Sequence, residues 1–135
     1  MYIGLESGHD PLLAFIRKPG LAADAVDTVQ RIKDAGVQAG VIVMTGLGGD
    51  RFAIGHVTDT IKVVNQMQLG EGDLIYFSDL VEVASTAYPR IAEREGVHSL
   101  APEDRRAQRD AIRAGLRFDG PGPKFATYDI REFVY

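Results

Sequence analysis

Three short apolar runs constrain this chain more than any other feature. Tyr2-Ile3-Gly4-Leu5, Val41-Ile42-Val43-Met44 and Leu74-Ile75-Tyr76-Phe77 each stop on glycine or polar residues, the first on the carboxylate, hydroxyl and glycine of Glu6-Ser7-Gly8, and stretches of helical periodicity lie between them. The second run, within a strand over residues 37–45, is continuously apolar and largely β-branched. It lacks the alternation of a half-exposed strand, so it reads as buried on both faces. Strands this short, alternating with helices, imply parallel crossovers and hence an α/β sheet. The expected order is strand-helix-helix-strand-helix-strand-helix-strand. The expected fold is a mainly parallel half (β/α) barrel of three or four strands with helices on one face.

The helices have their own signals. Asp10 caps a first helix with Pro11 at its first position, Leu12, Leu13, Phe15 and Ile16 supply its apolar face, and Lys18-Pro19-Gly20 ends it. A second helix spans residues 21–35, weakly capped at Leu21, with Leu21, Ala25, Val29 and Ile32 on one face and Gly36 as its stop. A third spans 53–68, with Ile54, Val57, Ile61 and Val64 as the stripe that faces a sheet. Pro89 opens a short helix to residue 95, and Pro102 opens a longer one to residue 114, closed by Gly115. Asp119-Gly120-Pro121-Gly122-Pro123 reads as a loop, and residues 125–135 as a final aromatic strand in which Tyr128, Phe133 and Tyr135 pack.

Size and charge narrow the function classes. A chain of 135 residues suits one domain, residues 1–135, and falls short of the ~200 residues of a complete (β/α) barrel. A formal charge of -4 provides no basic balance to displace counterions, so a nucleic-acid partner is not expected. There is no run of membrane-spanning length and no basic region before an apolar stretch, so the expectation is a cytoplasmic protein with no membrane partner. The absence of cysteine removes disulfides and every cysteine-ligated iron–sulfur centre carried by this chain itself.

The candidate chemistry lies at strand ends, where βα loops open toward ligands. Glu6 reads either as a general acid or base in an open cleft or as a strand-end carboxylate bonded to neighbouring backbone N–H groups. Gly46-Leu47-Gly48-Gly49 invites a phosphate-loop reading, but no Lys-Ser or Lys-Thr follows and Arg51 stands where a dinucleotide fingerprint needs its third glycine. His9, His56 and His98 are scattered without ligand spacing, so no metal is implied. Ser7 and Ser78 lack a nucleophile elbow. Arg106, Arg109, Arg113 and Arg117 form either an anion-binding stripe or a solvated helix face balanced by Glu103, Asp104 and Asp110.

Gly4-Leu5-Glu6-Ser7-Gly8, followed by Asp10-Pro11-Leu12-Leu13 and Arg17-Lys18, resembles the fourth strand and helix of a radical S-adenosylmethionine enzyme. The likeness is to those related to oxygen-independent coproporphyrinogen oxidases and cobalamin-associated radical enzymes, and it covers residues 2–83. It implies a cofactor half-site at Gly4, Glu6, Ser7, Lys18, Met44, Gly46 and Gly48. In that reading Glu6 meets the ribose hydroxyls, Lys18 meets the methionine carboxylate, and the strand end at Met44 with its glycine turn borders the adenine. Glu6, Ser7, Lys18 and the turn at 46–49 should then converge on one cleft. The family's Cys-x3-Cys-x2-Cys motif is absent, so a four-iron four-sulfur cluster would reach this chain only through an upstream segment.

Two functional classes follow. One is the carboxyl-terminal half of a radical S-adenosylmethionine enzyme, an oxidoreductase or transferase only when completed by a cluster-binding segment. The other is a non-catalytic α/β interaction or oligomerisation module. A half-barrel leaves a concave face and an edge strand open, so the expected partner is the missing N-terminal half or a second copy of the chain. Losing even ~4 kcal/mol of cofactor contacts weakens binding about a thousandfold. The chain alone is therefore expected to bind S-adenosylmethionine weakly or not at all, and to catalyse nothing.

Overall fold

The structure, a computed structural model, describes residues 1–80 and 88–128. Four strands form one all-parallel sheet in the sequential order β1 (Tyr2–Glu6), β2 (Gly40–Thr45), β3 (Leu74–Asp79) and β4 (Lys124–Tyr128). Between them run α1 (Asp10–Phe15), α2 (Ala22–Asp34), α3 (Ala53–Gln66), α4 (Tyr88–Arg94) and α5 (Pro102–Gly115). This is a partial (β/α) barrel, with the two helices opened by Pro89 and Pro102 both lying before β4. Strands laid down in sequence order are the winding of a barrel rather than of a doubly wound sheet.

Alternation along the strands separates two faces. Leu5, Val41, Val43, Ile75 and Phe77 turn toward the helices and join Val29 and Ile32 of α2, Val64 of α3, Met67 just after it and Ile112 of α5 in one core. Burying each of these side chains contributes about 2 kcal/mol. On the opposite face Tyr2 is exposed, and Gly4, Glu6, Ile42, Met44 and Tyr76 are half-buried. The β2 run is therefore buried on one face only. Tyr2 lies over Gly40 and tilts against Tyr76, with ring centroids 5.4 Å apart.

Several local expectations change. Asp10 is the first residue of α1 rather than its cap, and its carboxylate accepts the Ala22 N–H at the start of α2 (2.8 Å). The helix ends at Phe15, before Lys18-Pro19-Gly20, in a turn with Arg17 at φ 59°. β2 begins at Gly40 rather than residue 37, because the chain leaving α2 first closes a turn in which the Val37 N–H bonds the Ile32 carbonyl (3.1 Å). Leu21 is 60% exposed and Ala22 takes its place in the core.

In α3 the buried line runs through His56, Thr60, Val63 and Val64, while Ile54 is 84% exposed. Gly115 does not stop α5 by a left-handed turn. It is the helix's last residue, and it lets α5 approach α3, since a Cβ there would stand 2.4 Å from Ile61. Arg113 sets its guanidinium 4.3 Å above the Phe125 ring, and Arg109 faces Asp110. β4 begins at Lys124. The expected strand beyond Tyr128, with Phe133 and Tyr135 and the packing of the Tyr128 side chain, lies outside the described residues.

Candidate functional site

β1 ends irregularly. A bulge lies between Gly4 and Glu6, and the Ser7 N–H closes a three-residue turn onto the Leu5 carbonyl (2.7 Å). Glu6, the centre of that turn, stands at φ 63°, a left-handed conformation that side chains rarely adopt. The turn folds its carboxylate back over Gly4, where a Cβ would be 2.6 Å from Glu6 Oε1. Glu6 Oε2 is buried and has no hydrogen-bond partner among the described residues. Burial pushes the Glu6 carboxyl pKa above its ordinary value, against the opposing pull of the Lys18 charge. A strained residue with an unpaired buried acceptor is a costly arrangement, and such arrangements cluster at functional sites.

The turn after α1 brings Lys18 to the same place. The Lys18 N–H bonds the Leu13 carbonyl (2.9 Å) and the Arg17 N–H bonds the Ala14 carbonyl (3.1 Å), the hydrogen-bond pair of a helix-terminating turn that reverses the chain. Lys18 Nζ then lies 3.7 Å from the Cβ position of Gly4. Gly4, Glu6 and Lys18 thus meet at the carboxyl end of β1, with Met44 half-buried on the neighbouring strand.

Ser7 is placed differently. It is fully buried, its Oγ accepts the His9 N–H (3.0 Å), and it lies 2.7 Å from His56 Nδ1. His56, also fully buried, uses Nε2 to reach the Met44 carbonyl (2.8 Å). A carbonyl only accepts, so Nε2 carries the proton, Nδ1 is the acceptor and the Ser7 hydroxyl donates to it. Burial lowers the His56 pKa to about 4, with His9 acting in the same direction and the Met44 hydrogen bond against it. His56 is therefore neutral at pH 7.

The glycine turn after β2 binds helices. The Gly46 N–H donates to Gln108 Oε1 (2.8 Å) and the Gly48 N–H to the Tyr88 hydroxyl (2.9 Å), so α5 and α4 take the two donors that a phosphate would need. Gly46, at φ 83°, also admits the Arg105 side chain, whose Cδ would be 2.6 Å from a Cβ there. At the same end of the sheet the Thr45 hydroxyl donates to the Asp79 carboxylate. In the sequence His56 is weighed only as a metal ligand, and Gln108 and Tyr88 have no signal there, because their partners lie 62 and 40 positions away and neither falls in a motif.

Of the residues expected on one cleft, Glu6 and Lys18 come together and Met44 is half-buried beside them, whereas Ser7, Gly46 and Gly48 are buried, the two glycines packed against Arg105, Leu12 and Phe52. Glu6 Oε2, without a partner among the described residues, leaves an acceptor and Lys18 a cation at this strand end. The residues present do not suit a cluster, since the chain has no cysteine and no group of three His, Cys, Asp or Glu side chains among the described residues could hold a metal ion. A separate groove of about 430 Å³ opens at the other end of the sheet beside Tyr2, Gly40 and Lys124. It lies away from the strand ends that carry the strained residue. Comparisons of the chain with protein-family models, curated proteins and solved structures return no match.

Proposed function

We propose that this chain is the carboxyl-terminal half of a radical S-adenosylmethionine iron–sulfur enzyme, carrying part of the cofactor site and inactive without a cluster-binding segment. The observation that carries this reading is the Glu6 carboxylate held over Gly4 beside Lys18, with Oε2 buried and without a partner among the described residues. Glu6 accepts from the ribose hydroxyls, Lys18 neutralises the methionine carboxylate, and the half-buried Met44 of β2 borders the base. Bound S-adenosylmethionine would supply a cleavable sulfonium. The electrons for its cleavage come from outside this chain, whose own part is to bind and orient.

Completion comes from an N-terminal half or a second copy that covers the half-exposed sheet face, in a cytoplasmic setting. None of the described helices is long and apolar enough to cross a membrane. A second reading, a non-catalytic interaction module, draws on the Gly46 and Gly48 N–H groups, which are already bonded within the chain.

Titration calorimetry with S-adenosylmethionine separates the two. Weak, millimolar heats that Glu6→Ala abolishes support the half-site. Equal behaviour of both proteins supports the module, and tight binding by the chain alone overturns the fragment reading. Light scattering should find self-association, and a monomer at high concentration would remove the second-copy form of completion.

A further inference from the structure

We infer that His56 is the positioning residue of the Glu6 site: through Ser7 Oγ and the Met44 carbonyl it holds the strained turn that lays the Glu6 carboxylate over Gly4. The inference rests on the proposed half-site only for what Glu6 binds.

A left-handed glutamate persists only where its surroundings over-determine it. Here the three residues after Glu6 are each tied to one turn of α3. Ser7 meets His56, the Gly8 N–H donates to Thr60 Oγ1 (2.9 Å), and His9 Nδ1 pairs with Asp59 Oδ2 (2.6 Å). Positions 56, 59 and 60 share one helix face, so the segment is clamped as a unit. Gly8 makes the contact possible, because a Cβ there would stand 2.5 Å from the Asp59 carbonyl oxygen.

Of these ties, that of His56 alone spans three elements. Its ring stands on α3, accepts from the residue after Glu6, and donates to the end of β2. It thereby fixes the distance between the carboxyl ends of β1 and β2, where the half-site lies. Rotating the ring would leave the Ser7 O–H without its acceptor and break the bond to the Met44 carbonyl in a dry interior, which disfavours other ring orientations.

The test reads Glu6 itself, with no ligand present, by carbon-detected NMR titration of its side-chain carboxyl in the full chain. In the unaltered protein Glu6 titrates above the ordinary 4.5. In His56→Ala and in Ser7→Ala the turn relaxes, the carboxylate reaches solvent, and the midpoint returns toward 4.5. His56→Gln, whose amide can donate to Met44 and accept from Ser7, retains the raised midpoint. A merely structural histidine would lower thermal stability in every variant without moving the Glu6 midpoint. That result in a folded Ser7→Ala protein, which lacks a single oxygen atom, overturns the inference even if His56→Ala fails to fold. Cofactor binding is not the readout, so failure of the half-site and failure of this inference are separately visible.

Discussion

The carboxylate of Glu6 occupies the space that a side chain at position 4 would need, with Oε1 2.6 Å from where a Cβ of residue 4 would stand. The obstructing atom is the far end of a flexible side chain, so Gly4→Ala should fold with a loss of no more than about 1 kcal/mol. The Glu6 carboxylate should be pushed into solvent and its midpoint should fall. Gly8→Ala provides the contrast, because its Cβ would meet the Asp59 backbone. That clash should cost about 2–4 kcal/mol or prevent folding. Thermal unfolding of the two variants checks the ranking.

Glu6→Gln should be more stable than the unaltered protein at neutral pH. The folded state holds the Glu6 proton to higher pH than the unfolded chain does. Stability therefore declines as pH rises from the unfolded value of 4.5 through the raised folded one. Removing the charge removes that decline and should gain about 1 kcal/mol at pH 7, while at about pH 3 the two proteins should coincide. Urea unfolding across that range is the measurement.

His56 gives the opposite sign. Its folded pKa of about 4 lies below the ordinary 6.5, so the unfolded chain takes up the proton first and stability is lost as pH falls between the two. The loss is at most about 3.5 kcal/mol. His56→Gln should flatten this descent. The comparison is cleanest in a Glu6→Gln background, since Glu6 acts in the reverse sense in the lower part of the window.

Asp73 anchors the amino ends of the strands. It is 3% exposed, accepts the Ala39 and Gly70 N–H groups (both 2.9 Å), and pairs with Lys33. Burial alone would raise its carboxyl pKa, but these hydrogen bonds and the Lys33 charge hold it below 3.8. Its contribution is therefore present above 3.8 and lost as pH falls through the folded value. Asp73→Ala should cost about 3 kcal/mol at pH 7 by leaving buried donors unpaired. It should leave the Glu6 titration unchanged, since the two lie at opposite ends of the sheet.

What the sequence determined by itself is the class of fold and the run of its elements. The third strand is found at Leu74–Asp79 as read, and the α/β alternation holds, because apolar periodicity and glycine or proline punctuation act between residues a few positions apart. Glu6 and Lys18 were legible as strand-end and helix-end polar residues. Their meeting was expected only from the family resemblance and not from the residues themselves, because it depends on left-handed turns at Glu6 and Arg17, where no glycine marks them.

The tertiary structure alone decided that Ile54 and Leu21 face solvent while His56 is buried, and that Ser7 turns inward to His56 rather than toward the open face. Helical spacing admits more than one apolar stripe, and packing against the sheet chooses among them. A hydrogen bond between positions 7 and 56 leaves no periodic trace in the chain. It exists because β1, β2 and α3 converge in a dry interior, where each buried polar group must find whichever partner the fold sets beside it.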